Sequence, residues 1–146
     1  MNRVFVDMDG VIVDFERYMR EHGLTGDETK IKPGAYLAMH EIPGAVDGIR
    51  KLLTLGYEIW IATKPPTGVA HAYSEKAQWI YDHIPELKRH IIITHHKGML
   101  GDDGDIIIDD RLHKASINEF AGTAIGFVNG MTWDKVVVIL EHRLTK

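Results

Sequence analysis

Asp7 and Asp9 stand one residue apart, directly after the apolar run Val4-Phe5-Val6, and Gly10 follows at once. An apolar run closed by a glycine turn reads as a buried strand with a sharp exit, which puts both carboxylates at the strand's C-terminal end. In an open parallel sheet ligands bind at that edge, because the loops leaving the strands diverge there. Two acids held in a crevice repel each other. A divalent cation such as Mg2+ removes the repulsion, since it prefers hard oxygen ligands and is commonly bound through one or two carboxylates plus phosphate and water. Alone, an Asp-x-Asp is more often a solvated turn. Here more chemistry arrives at the same edge: Thr63-Lys64 follows the apolar run Tyr57 to Ala62, Lys97 lies just beyond Ile91-Ile92-Ile93, and Asp109-Asp110 follows Ile106-Ile107-Ile108. Four successive strands ending in such groups are far more specific than any one motif.

The elements that must hold these residues follow from periodicity and punctuation. The spacing predicts helices over 14–22 with Asp14 as cap, over 44–55 with Val46, Ile49, Leu52 and Leu53 inward, over 69–83 with Trp79 and Ile80 inward, and over 132–144 with Thr132 as cap. A further short helical turn is expected after Pro85, and a fifth strand over Ala124 to Val128. Gly23, Gly26, Pro33, Gly34 and Pro43 punctuate an insert at about 16–43 with room for one short helix around Ala35 to His40, placed to reach over the crevice as a small lid. Alternating strands and helices give an α/β fold, a parallel sheet of about five strands with right-handed crossovers and helices on both faces.

Composition narrows the function classes. The 146 residues fit one domain with a sizeable core, and 45% hydrophobic with 26% charged residues is the balance of a soluble globular protein. The absence of cysteine excludes disulfides, thiolate catalysis and thiolate-bound zinc. A net charge of −4 argues against a stable nucleic-acid complex, while leaving room for a small anionic substrate held by local cations. The nine histidines scatter without a His-x-x-x-His pair, so no metalloprotease-type zinc site is signalled, and adjacent His95 and His96 read as polar surface. No apolar run is long enough to span a bilayer, and Asn2 and Arg3 lead straight into the first strand, so a cytoplasmic protein without a signal peptide is expected.

With these residues in place, the chain resembles the haloacid dehalogenase (HAD) superfamily, on four signatures: Asp7-Met8-Asp9-Gly10-Val11, Thr63, Lys97 and Asp109-Asp110. Within it the chain is most similar to the 5′(3′)-deoxyribonucleotidases, over Asp7 to Phe15, Ile42 to Val46, Glu75-Lys76 with Trp79, and Ile91 through Arg111. The resemblance implies a three-layer Rossmann-like sheet and a Mg2+-dependent phosphomonoesterase acting through an aspartyl-phosphate. Asp7 is implied as nucleophile and Asp9 as general acid and base. Mg2+ is implied on the Asp7 carboxylate, the Asp9 backbone carbonyl and Asp110, with Asp109 ordering a metal-bound water. Thr63 and Lys97 are implied to hold the phosphate, and Phe15 to stack on a nucleobase, although an isolated aromatic is as often core packing. The implied substrate is a small phosphorylated molecule, a nucleoside monophosphate foremost. Another small phosphoester, a polynucleotide phosphate end and a non-catalytic module on the same fold are the alternatives. Two features depart from the family pattern: the insert is shorter than the nucleotidases' helical bundle, and Lys64 replaces a serine, where it either adds a phosphate contact or faces solvent. An oligomer is compatible with so short an insert.

Overall fold

The computed structural model describes residues 2–145. Its elements are β1 (Arg3–Val6), α1 (Phe15–His22), α2 (Gly26–Ile31), α3 (Ala35–Ala38), α4 (Ala45–Thr54), β2 (Glu58–Thr63), α5 (Ala70–His83), β3 (Ile91–Ile93), β4 (Ile106–Asp109), β5 (Thr123–Gly126) and α6 (Trp133–Arg143), with single 3-10 turns at Pro85–Leu87, Lys97–Met99 and Ile117–Glu119. The five strands form one parallel sheet in the order β3-β2-β1-β4-β5, so the strand that carries Asp7 lies at its centre. The α/β reading and its five strands hold.

Strand alternation divides the core. Val4, Val6, Ile59, Ile61, Ile106 and Ile108 point to one face, under α4, α5 and α6. Phe5, Ala62 and Ile107 point to the other, with Ile117 and the half-buried Trp60, Ile92, Leu100 and Phe120. Burial on both faces is why these strands read as continuous apolar runs.

Register brings the chemistry together. Val6 pairs with Ile61 on one side and Ile108 on the other. Asp7 is therefore one residue past the pair, level with Asp109 and within a residue of Thr63, and the Asp7 amide continues the ladder by donating to the Ile108 carbonyl at 2.9 Å. Beyond Asp7 the chain turns: the amides of Val11, Ile12 and Val13 all donate to the Met8 carbonyl, at 3.2, 2.8 and 2.9 Å. The Trp133 indole of α6 donates to the Val11 carbonyl at 2.8 Å from a buried position and fixes that turn from below.

The insert holds one helix that the sequence reading did not expect. α2 is closed by a capping box, with the Glu28 amide donating to Thr25 Oγ1 at 3.1 Å and the Thr25 amide to Glu28 Oε1 at 2.9 Å. The segment is bonded to the body at several points: Asp14 N–H to the His40 carbonyl at 2.8 Å, Ile42 N–H to the Ile12 carbonyl at 2.7 Å, Gly34 N–H to Glu75 Oε2 at 2.9 Å and Trp79 Nε1–H to the Met39 carbonyl at 2.9 Å. The last two tie it to α5.

Three of the nine histidines have a shared structural use. His22, His83 and His90 stack on Tyr18, Trp79 and Trp60 at centroid distances of 3.9, 3.9 and 4.2 Å, each with Nδ1 bonded to a backbone carbonyl. A carbonyl only accepts, so Nδ1 carries the proton in all three. No helix among the described residues is long and apolar enough to cross a membrane.

Candidate active site

At the C-terminal ends of β1 and β4, carboxylate oxygens of Asp7, Asp109 and Asp110 lie within 4.8 Å of one another. The Lys97 ammonium sits against two of them, 2.7 Å from Asp7 Oδ1 and 2.7 Å from Asp109 Oδ2. Lys97, Asp7 and Asp109 are all buried. Asp109 has a partner on each oxygen, since its Oδ1 also accepts from the Arg111 backbone N–H at 2.9 Å. Arg111 thus steadies the loop through its backbone, while its side chain is exposed.

The loop that delivers Lys97 depends on two unusual backbone features. Ala115 and Ser116 hold positive φ of 52° and 58°, a region L residues seldom enter. That bend aims the Ala115 carbonyl at the amides of Lys97 and Gly98, at 2.7 and 3.3 Å. Gly98 is required by proximity: a Cβ there would stand 2.0 Å from the Ser116 carbonyl oxygen.

Asp9 and Thr63 meet over a second lysine that the sequence reading did not single out as a site residue. Lys76 of α5 is fully buried, with Nζ 2.8 Å from Thr63 Oγ1 and 3.2 and 3.3 Å from the two Asp9 oxygens. The signal was present: Ala72, Lys76 and Ile80 stand four apart on the apolar stripe that also carries Trp79, so the lysine lies on the buried face of the helix.

The other candidates fall differently. Phe15 is half-buried at the edge of the main core, its ring 6.1 Å from that of Tyr36. Asp14 caps α1, accepting from the Arg17 N–H at 3.0 Å. Lys64 and His95 are exposed. His96 is half-buried and pairs with Glu119 at 2.9 Å, a contact the surface reading did not anticipate.

The electrostatics leave negative charge in excess. Four carboxylates (Asp7, Asp9, Asp109, Asp110) face two buried ammonium groups, so two negative charges are unbalanced. Burial is the largest influence on Asp7 and pushes its carboxyl well above the usual range; Asp109 and Asp9 push the same way, against the pull of Lys97. Burial also raises Asp110, and Asp109 adds to it. For Lys97, burial works to lower the ammonium's pKa, but Asp7 and Asp109 together outweigh it and raise it. The donors are all hard oxygens, and the carboxylates outnumber the ammonium groups, so the residues present fit Mg2+. Asp7 and Asp110 would hold it, with Asp109 already committed to Lys97 and Arg111.

Comparison with known proteins agrees with this geometry. The model of the family described as 5′ nucleotidase, deoxy (pyrimidine), cytosolic type C protein matches residues 28–134. The human cytosolic-type 5′(3′)-deoxyribonucleotidase is 29% identical over 143 residues, covering 75% of this chain and 70% of the human protein. A Bordetella bronchiseptica relative is 32% identical over 80 residues, 54% of this chain and 42% of its own, so the match spans under half of that protein. Among solved structures, a HAD family hydrolase from Deinococcus radiodurans with bound phosphate and sodium superposes with a TM-score of 0.56 at 16% identity, over 90% of this chain and 83% of its own, and shares the fold. The family model covers well over half of the sequence and takes in β2 to β5 with Thr63, Lys97 and Asp109, while Asp7 beyond β1 precedes the matched segment: the chain belongs to the deoxy (pyrimidine), cytosolic type C family of 5′ nucleotidases.

Proposed function

We propose that this protein is a Mg2+-dependent phosphomonoesterase that removes phosphate from deoxynucleoside monophosphates in the cytoplasm, through an aspartyl-phosphate on Asp7. The observation that carries the reading is Lys97 held at 2.7 Å from both Asp7 and Asp109, inside a carboxylate group that a divalent cation would balance.

Each residue has a role its surroundings allow. Lys97 holds one Asp7 oxygen, which aims the carboxylate and leaves the other oxygen to attack phosphorus. Attack breaks the bond to the substrate oxygen and leaves the phosphoryl group on Asp7, splitting one hard hydrolysis into two displacements. Asp9, whose side chain is 30% exposed and so within reach of both substrate and water, gives its proton to the departing alkoxide. In the second step Asp9 takes a proton from the water that attacks phosphorus, the bond from phosphorus to the Asp7 oxygen breaks, and phosphate leaves with the Asp7 carboxylate restored. An ammonium has three donors, and Lys97 uses two on carboxylates, so the third is available to a phosphoryl oxygen. Thr63 supplies a hydroxyl to another. When bound, Mg2+ would neutralise charge between the dianionic phosphate and anionic Asp7. Phe15, at the mouth of the insert, would stack on the base, and exposed Lys64 would add a longer-range attraction for phosphate.

The test is a phosphatase screen of the purified protein with Mg2+ over deoxynucleotides, ribonucleotides, sugar phosphates and 5′-phosphorylated oligonucleotides. The reading expects deoxynucleoside monophosphates to be the best substrates. Release of phosphate from none of them, or from oligonucleotide ends alone, would overturn it.

A further inference from the structure

The two buried lysines are committed differently. Lys97 directs two of its N–H donors at Asp7 and Asp109 and keeps one. Lys76 has partners in all three directions: Thr63 Oγ1 at 2.8 Å, the Asp9 carboxylate at 3.2 and 3.3 Å, and the Tyr36 ring, whose centroid is 4.5 Å from Nζ. A cation over a ring face is held by the ring's quadrupole, so the third side is occupied rather than open. Lys76 has no donor left for a phosphoryl oxygen.

The contact to Thr63 also has a direction. An ammonium has no lone pair, so Thr63 Oγ1 accepts from Lys76, and the threonine's own proton must point elsewhere. Lys76 occupies one side of that hydroxyl and leaves its proton free for an acceptor on another side, which in the crevice is the substrate's phosphoryl group. Tyr36 is buried and belongs to the insert, which Glu75, the residue before Lys76, bonds through the Gly34 amide.

We propose that Lys76 is a positioning residue: it holds the proton-transferring carboxylate of Asp9 and orients the Thr63 hydroxyl as a donor, without gripping the phosphate itself. The insert then contributes to the reaction by sealing this ammonium under Tyr36. The proposal deepens the reading of Asp9 as general acid and rests on it.

Leaving groups separate this role from phosphate binding and from simple scaffolding. A deoxynucleoside 5′-monophosphate departs as an alkoxide that needs Asp9's proton, whereas 4-nitrophenyl phosphate departs as a phenolate that needs little. Asp9→Asn sets the scale, and should lower nucleotide turnover far more than aryl turnover. Lys76→Met should follow it, with kcat on the nucleotide falling at least about tenfold further than on the aryl ester, since a positioned acid contributes on the order of 10²-fold or more. Inhibition by inorganic phosphate should weaken by no more than about threefold, because the remaining phosphate contacts stay in place. Equal losses on the two substrates, or phosphate inhibition weakened tenfold or more on the order of a lost ionic contact, would overturn the proposal. The double variant D9N/K76M removes both charges, so it leaves no ion buried without a partner and keeps the test open if Lys76→Met misfolds. Its nucleotide activity should fall below that of Asp9→Asn alone by no more than the contribution of one oriented hydroxyl, about tenfold at most; a larger further loss would show that Lys76 acts other than through Asp9 and Thr63. Equal losses in Asp9→Asn itself would remove the reading of Asp9, and this proposal with it.

Discussion

Gly10→Ala is the substitution whose consequence the geometry specifies most narrowly. Gly10 sits at φ +81°, and a Cβ built there would lie 2.3 Å from Asp110 Oδ2 and 3.0 Å from Asp110 Cγ. Ordinary contact starts at 3.4 Å, so the carboxylate oxygen must retreat by roughly 1 Å. The obstacle is the tip of a side chain rather than backbone, so the fold can accommodate the change while the acid group is displaced. Left-handed backbone for alanine costs about 1–2 kcal/mol, which for a chain of this size lowers Tm by roughly 3–8 °C. Gly130→Ala provides the control: its φ is +87° and nothing lies within 4 Å of a Cβ there, so it carries the backbone strain without touching the site. Both variants should melt a few degrees early. Only Gly10→Ala should need more Mg2+ for half-maximal activity, with turnover down on the order of 10²-fold, the usual cost of a 1 Å misplacement. The assay is a Mg2+ titration of phosphate release beside a thermal melt. A wild-type Mg2+ midpoint in Gly10→Ala would refute the role given to Asp110, and an equal loss of activity in Gly130→Ala would reduce the effect to strain.

Four other outcomes follow from the same geometry. Asp7→Asn should stay folded and lose turnover, because an amide does not displace at phosphorus; near wild-type phosphate release by the purified variant would remove the covalent step. Excess chelator should silence the enzyme and Mg2+ should restore it better than Ca2+, whose larger, looser shell positions phosphate less well; full activity in chelator would exclude the cation. Phe15→Ala should cost a nucleotide about 1–3 kcal/mol of stacking while sparing a small phosphate ester without a base, and parallel losses would make Phe15 a packing residue. The Asp105 carboxyl is pushed up by burial, but the Arg3 backbone N–H and guanidinium outweigh that and hold it below its ordinary 3.8. The stabilisation from a depressed carboxyl is complete above the unfolded-state value and fades as pH falls through the folded-state one. Asp105→Asn should therefore flatten the fall of Tm below about pH 4, and an unchanged acid limb would contradict the assignment.

The sequence was legible where apolar runs met punctuation. β3 falls on the expected three isoleucines, and α4 and α6 fall within a residue or two of expectation, because each carries a periodic stripe and a stop or cap. α2 escaped because it buries only Thr29 and opens on a glycine; its one signal was the Thr25–Glu28 spacing of a capping box. The strand-end acids were legible because a buried strand that runs straight into carboxylates delivers them to the sheet edge where ligands bind. Lys76 was not, since a lysine in an amphipathic helix ordinarily marks its solvent face, and only its position between Ala72 and Ile80 argues otherwise. The strained backbone at Ala115 and Ser116, which places Lys97, has no sequence signature at all: neither is a residue type that favours positive φ.

The hydrogen bond from Trp133 to Val11 sets an order of assembly. Its partners are 122 positions apart, and every carboxylate, lysine and hydroxyl of the site lies in between or just before, none later than residue 110. A chain emerging from the ribosome as far as β5 already holds all of that chemistry, yet the turn after Asp7 still lacks the indole that pins it. Such a long-range closure forms late, after the local helices and neighbouring strands. Truncation anywhere before residue 133 is thus expected to leave the Asp7 turn unset although all its acids have been made, and α6, which supplies none of the site's acids or lysines, becomes the element whose docking completes it.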